Sequence, residues 1–412
     1  MSLHDHAQAI IRAALDRARP DDAVRRALEG VTFGRGRLVL LAVGKAAWTM
    51  AAAACALLGE RIDEGLVITK HGHSRGPLPR LTIREAGHPV PDAASFAATA
   101  EAMALARDLK EEDCLLFLLS GGGSALLECP LVPEQELFDL TRQLLASGAD
   151  IVEINTVRKR LSAVKGGRLA QLCAPGRVVQ VVLSDVLGDP LDMIASGPCA
   201  PDRSTSAEAL AVVEQYDLTL SPLALSLLGQ ETPKELTHVD SRITGSVRQL
   251  CTAAAEQAAA LGYTPHVLTT TLNCNAADAG RFFAALAREQ SGRGRRLALI
   301  AGGETTVRLQ GSGKGGRNQE LALAAAEGMR GLPDVLLFSF GSDGTDGPTD
   351  AAGGIVDGDT FARLAARGFD PAKVLKHNDS YPALQAVDAL LLTGPTGTNV
   401  NDLTVLLVGG EG

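Results

Sequence analysis

Cys114-Leu115-Leu116-Phe117-Leu118-Leu119 runs directly into Ser120-Gly121-Gly122-Gly123-Ser124-Ala125-Leu126-Leu127, and the reading of this stretch decides the fold. Six consecutive apolar residues suit a strand buried on both faces, as in a parallel sheet. Three glycines then turn the chain, and the apolar residues that resume read as the start of a helix. A flexible linker is not so abruptly apolar on both sides. Backbone that curls through glycines into a helix N-terminus presents N–H groups to an anion.

Outward from this stretch the alternation repeats. Strands are predicted at 37–43, 65–69, 81–85 and 178–183, and helices at 5–29, 45–58, 93–109, 133–147 and 156–173. A mixed segment at 200–240 carries Pro201, Pro222 and Pro233. Beyond it, helices at 247–261, 276–291 and 318–327 alternate with strands at 266–270, 297–301, 306–310, 335–339 and 403–408. A chain of 412 residues is longer than one core usually serves. The reading is therefore α/β, in two domains over residues 1–235 and 236–412 with a ligand cleft between them.

Composition narrows the function. A net charge of −9 argues against a non-specific nucleic-acid binder, and 3% aromatic residues against a base-stacking platform. Seven cysteines, an odd number without CxxC spacing, read as reduced thiols of a cytoplasmic protein. No cationic–apolar signal pattern opens the chain, and no apolar run approaches a membrane span.

Polar, glycine-rich loops fall at the strand ends, where open α/β sheets bind ligands. Val43-Gly44-Lys45-Ala46 places a cation where a strand passes into a helix, a position that suits an anion. In Ser184-Asp185-Val186-Leu187-Gly188-Asp189 a carboxylate can hold Mg2+, accept a hydroxyl proton or cap a turn; Asp185 lies closest to the strand. Gly302-Gly303-Glu304 follows the strand predicted at 297–301. Gly311-Ser312-Gly313-Lys314-Gly315-Gly316-Arg317-Asn318 has the form GxGxxG. The acid that a dinucleotide site needs about 20 residues on is Asp334, which precedes its strand instead of ending it. Lys314 also lacks the Ser or Thr that follows a Walker lysine. What remains is a glycine nest with Lys314 and Arg317, suited to a polyphosphate or carboxylate.

Asp343, Asp346 and Asp350 fit a divalent cation, a ribose or a series of Asx turns, and lack the spacing of an EF-hand. Residues 393–402 add another polar loop. His88, followed by Pro89 and Pro91, reads as a structural loop histidine, and no His/Cys/Asp grouping has zinc spacing. Ser124 fails the nucleophile-elbow pattern because residue 126 is Leu.

The segments AVGKAAWTMA, HPVPDAAS, LLSGGGSALL, INTVRKRLSAVKGGRLA, VLSDVLGDPLDMIASGPCAPD, GGETTVRLQGSGKGGRNQELAL, FGSDGTDGPTDAAGG and TGPTGTNVNDL together resemble the type II glycerate kinase family, which carries a C-terminal MOFRL domain. They stand in family order across nearly the whole chain. The resemblance implies a Rossmann-like three-layer parallel-sheet N-terminal domain and a smaller C-terminal α/β domain, with the MOFRL region at about 295–405. It also implies ATP- and Mg2+-dependent phosphorylation of D-glycerate at the 2-hydroxyl, with Lys45 and Arg317 as the basic catalytic residues.

Joined to the loops, the resemblance sets these expectations. Lys45 and Arg317 bracket the transferring phosphoryl group across the cleft. Asp185 orients or deprotonates the 2-hydroxyl, or helps to hold Mg2+. Ser120, Gly121, Gly122, Gly123 and Ser124, with Arg158 and Lys165, hold the glycerate carboxylate or a phosphate. Glu304, Gly311, Gly313, Lys314, Gly315, Gly316 and Asn318 serve ATP, and Asp343 and Asp346 serve Mg2+. The alternative is an NAD(P)H-dependent hydroxypyruvate reductase, a label given to relatives, against which the incomplete dinucleotide fingerprint counts. A serine hydrolase at Ser124 and a non-catalytic anion sensor are weaker rivals. The partners expected are small molecules, without nucleic acid or membrane, and a homodimer stays open.

Overall fold

In chain order the elements of the computed structural model, which describes residues 2–410, begin with helices α1 (Leu3–Arg17) and α2 (Pro20–Leu28). Strand β1 (Leu38–Val43), helix α3 (Ala47–Leu58), strands β2 (Glu64–Lys70) and β3 (Leu81–Ala86), helix α4 (Ala93–Arg107) and strand β4 (Cys114–Leu119) follow. Helices α5 (Gly123–Leu126), α6 (Glu134–Ser147), α7 (Ile151–Arg160) and α8 (Arg168–Cys173) lead to strand β5 (Arg177–Leu183). Helices α9 (Ser206–Gln215) and α10 (Pro222–Leu228) lead to strand β6 (Val239–Gly245). Next come α11 (Val247–Ala260), β7 (Thr264–Leu272), α12 (Ala276–Gln290), β8 (Leu297–Gly303), α13 (Arg317–Gly328), β9 (Val335–Gly341) and β10 (Gly353–Asp357). The chain ends with α14 (Thr360–Ala366), α15 (Pro371–Lys376), α16 (Ser380–Gln385), β11 (Leu390–Leu391) and β12 (Asp402–Val408). No helix among the described residues is long and apolar enough to cross a membrane.

Two compact units form, Ala23–Thr244 and Met1–Asp22 with Gly245–Gly412. In the first, one sheet has the order β3-β2-β1-β4-β5-β6, and β1 to β5 pair in parallel. Alternate side chains of the strands face opposite layers. Val39, Leu41, Phe117 and Leu119 pack with Ala98, Ala102 and Met103 of α4. Leu40, Ala42, Leu116 and Leu118 pack with Met50 and Ala51 of α3 and Val24 of α2. Burial on both faces explains the unbroken apolar runs. This is the Rossmann strand order, and it reverses direction between β1 and β4, which makes their carboxyl ends the ligand crevice.

In the second unit the sheet order is β11-β10-β9-β12-β8-β7. Only β7 and β8 pair in parallel there; β8–β12, β12–β9, β9–β10 and β10–β11 are antiparallel. Helices α12 and α13 cover one face through Ala279, Phe283, Leu321 and Ala325. Helices α1 and α11 pack on each other and on the remaining face of the same sheet.

Several elements differ from expectation. The helix expected at 156–173 breaks between α7 and α8, where Gly166 and Gly167 take positive φ. The strand expected at 306–310 is irregular beyond a bridge at Thr306, where the Asn378 side chain accepts from Gln310 N–H and donates to the Arg308 carbonyl in place of a neighbouring strand. Strand β6, which is largely polar, and the shorter β10 and β11 carry little apolar signal and lie outside the predicted elements. The boundary expected at 235/236 lies at 244/245. The first helix, expected with the N-terminal domain, belongs to the other unit, since Ile10 and Ala14 are buried in it and the His6 ring bonds the Tyr263 hydroxyl at 2.8 Å.

Candidate active site

The crevice of the Ala23–Thr244 unit is made from strand ends. Gly44, at φ 127°, passes so close to Ser120 that a Cβ would stand 2.1 Å from its hydroxyl, so only glycine fits. Lys45 N–H donates to the Gly121 carbonyl at 2.9 Å, and the Ser120 hydroxyl accepts from Ala46 N–H at 3.1 Å. These bonds tie the ends of β1 and β4 together. Ser120 is 3% exposed and its hydroxyl serves this turn, which corrects its expected role as a ligand contact.

A Cβ on Gly121 would meet an Asp185 carboxylate oxygen at 2.3 Å. One on Gly122 would meet the His88 ring at 3.0 Å and the Lys45 side chain at 3.3 Å. The glycine loop is thus flanked by a carboxylate, a cation and an imidazole. Among the described residues the Lys45 ammonium has no ion-pair partner. His88 has a pKa below its ordinary value, first through burial and then through Lys45, Lys70 and His73. Ser124 Oγ lies 3.4 Å from Ser196 Oγ, which donates to Asn155 at 2.8 Å. Ala195, Ser196 and Gly197 all have positive φ, strained backbone for the two non-glycine residues. Ala195 packs its methyl group over Gly123.

Lys165 does not face the crevice. It is fully buried, donates to the carbonyls of Ser124 (2.8 Å) and Leu127 (2.9 Å), and pairs with buried Glu128 at 3.0 Å. Burial lowers its pKa and Arg158 adds to that, while Glu128 opposes both. Its expected role as an anion contact becomes one of fastening the glycine loop from beneath. Arg158 faces the same Glu128 at 3.5 Å and, unlike Lys165, keeps part of its side chain exposed.

In the other unit, the ends of β8 and β9 and the start of β12 meet. Arg317 donates to Asp402 at 2.5 and 2.9 Å and to Glu304 at 2.8 Å, and Asn401 also donates to Glu304, at 3.1 Å. Burial opposes the charge on Arg317, but Asp402 and Glu304 outweigh it and hold the guanidinium protonated well above its ordinary range. Burial pushes the Asp402 carboxyl up to about 6 despite Arg317. Neither Asp402 nor Asn401 stood out in the sequence beyond membership of a polar loop.

The 311–316 nest is already filled by protein. Gly311 N–H donates to Asn378, Gly313 N–H to the His377 carbonyl at 3.0 Å and Lys314 N–H to Asp379 at 2.9 Å. Cβ atoms on Gly311, Gly313 and Gly315 would strike residues 377–380, and one on Gly316 would strike Asp346. The glycines permit loop-on-loop packing, so the expected phosphate nest at Gly311, Gly313 and Lys314 is corrected. Lys314 instead lays its ammonium 4.1 Å over the Tyr381 ring. Asn318 is also withdrawn, being 1% exposed and bonded to Ser339 and Asp346.

Mg2+ is usually held by one or two carboxylates together with substrate phosphates and water. Asp343 suits this, since one oxygen closes an Asx turn onto Thr345 N–H and the other has no partner among the described residues. Asp346 does not. Its oxygens accept from the N–H groups and side-chain amides of both Asn318 and Gln319, at the start of α13. No cluster of three or more potential metal ligands occurs among the described residues.

A doubly wound sheet whose switch point carries a glycine loop, a cation and a carboxylate defines an enzyme acting on a small anion. Residues 6–228 match the family described as a domain of unknown function (DUF4147), and residues 297–402 match the MOFRL family. The chain is 51% identical to a D-glycerate 2-kinase of Thermotoga maritima over 99% of both chains. A crystal structure of glycerate kinase from that organism superposes with a TM-score of 0.94, covering 98% of this chain and 99% of that one. A putative hydroxypyruvate reductase of Agrobacterium vitis is 42% identical over 91% of this chain and 100% of its own. The chain belongs to the glycerate kinase family with a MOFRL domain.

Proposed function

We propose that this chain transfers the terminal phosphoryl group of ATP to the 2-hydroxyl of D-glycerate, in the cytoplasm. The observation that carries the reading is the unpartnered Lys45 beside the glycine loop at the β1/β4 switch point, with Asp185 against the same loop. The N–H groups of Gly121 to Ser124 receive the glycerate carboxylate. Asp185 takes the proton of the 2-hydroxyl as its oxygen bonds to the γ-phosphorus and the bond to the β,γ-bridging oxygen breaks. Lys45 carries the charge spread over the equatorial phosphoryl oxygens, Arg317 is the basic residue that the other unit offers for phosphate, and positioning supplies most of the catalysis. Glu304 and Asp402 fix the orientation of Arg317. Asp343 is the carboxylate for Mg2+, which when bound neutralises phosphate charge. Unpaired cysteines, seven in all, suit a reducing compartment.

The test incubates the protein with ATP, Mg2+ and D-glycerate and couples product to enolase without a mutase. A signal identifies 2-phosphoglycerate, and Lys45→Ala should lower turnover by at least about 100-fold at unchanged melting temperature. ADP release without an enolase signal rejects the 2-position. Oxidation of NADH by hydroxypyruvate in place of both supports the reductase.

A further inference from the structure

His88 stands at the site without a task. Its loop follows β3, and Gly87, whose Cβ would stand 2.8 Å from the Asp92 side chain, brings the loop in tightly. The next loop histidine, His71, is occupied by Asp92 at 2.9 Å, and His73 by the Lys45 carbonyl at 3.2 Å. His88 has no hydrogen-bond partner among the described residues. Its Nε2 and Cδ2 edge is turned to Gly122, and a Cβ on the glycine would stand 3.1 and 3.0 Å from these two atoms. A merely structural loop histidine usually anchors a ring nitrogen on backbone, as His238 does on the Ala170 carbonyl at 2.8 Å.

We propose that His88 is a specificity-determining residue, whose imidazole hydrogen-bonds the substrate hydroxyl on the carbon beyond the one phosphorylated. The assignment rests on the glycerate reading above. With the carboxylate on the glycine loop and the 2-hydroxyl at Asp185, the group left for the Gly122 flank is the 3-hydroxyl. Lys45, Lys70 and His73 are the charged and titratable groups that act on the ring, and with burial they favour its neutral form. A neutral imidazole has one donor and one acceptor, which matches a hydroxyl and suits a carboxylate poorly.

D-lactate, which lacks only the 3-hydroxyl oxygen, is the probe. His88→Ala and His88→Gln are compared with the wild type for kcat/KM on D-glycerate and for the inhibition constant of D-lactate against it. His88→Ala should lose about 10- to 100-fold on D-glycerate while D-lactate binds within about twofold of wild type. His88→Gln, which keeps a donor and an acceptor, should recover part of the loss. Equal weakening of both ligands in both variants, or no loss on D-glycerate, overturns the assignment. A wild type that turns over no D-glycerate overturns the functional reading itself, and this assignment with it.

Discussion

Arg317 and Asp402 show how a residue's neighbours decide what it can do. The arginine was legible as a cation at the start of a helix, but the carboxylate that orients it lies 85 residues on. A carboxyl whose pKa is raised on folding, here from 3.8 to about 6, holds its proton more tightly in the native state. The unfolded chain gives up that proton first as pH rises, so this site's contribution to stability declines between about pH 4 and 6 and is level above. From pH 4.5 to 7 the loss should be about 2 kcal/mol. Equilibrium unfolding at the two pH values should show the wild type losing about 2 kcal/mol relative to Asp402→Asn. Equal slopes would mean that burial does not shift Asp402. Lys165 teaches the same lesson in reverse: it was expected to help the glycine loop hold an anion, and its burial shows a fastening. No local pattern separates a lysine that points into a crevice from one that points beneath it.

At the scale of elements, the loop before α13 separates two meanings of glycine. As a phosphate nest, Gly313 should matter to ATP; as a packing glycine, it should matter to stability. A Cβ there would stand 2.5 Å from both the Asp379 side chain and the His377 carbonyl. Gly313→Ala should therefore cost about 1–3 kcal/mol, a fall of several degrees in melting temperature, with KM for ATP nearly unchanged. A variant with normal melting and a raised KM would restore the nest. The strands β1, β4 and β5 were read within one or two residues because burial on both faces writes an apolar run into the sequence. The break between α7 and α8 was missed, since Leu161, Ala163 and Val164 continue an apolar pattern through the turn.

At the scale of the whole molecule, the first helix belongs with sequence more than 220 residues away. Ile10 and Ala14 are fully buried where α1 lies on α11. Ile10→Ala should destabilise by about 2–5 kcal/mol. Amide hydrogen exchange should speed up in α11 and β9 and stay unchanged in β1, β4 and β5. Faster exchange in the parallel sheet instead would assign α1 to the other unit. The alternation of apolar strands with helices, and the glycine loops at strand ends, follow from local rules of periodicity and turn chemistry. The sequence by itself therefore determined the α/β class, the parallel sheet and the placing of Lys45, Asp185 and the glycine loop at strand ends. Tertiary structure alone decided the antiparallel pairing of the second sheet, the home of α1, the filling of the 311–316 nest by Asn378 and Asp379, and the bare imidazole of His88. Each of these depends on which distant groups arrive to satisfy a hydrogen bond or bury a face, and such partners leave no local mark in the chain.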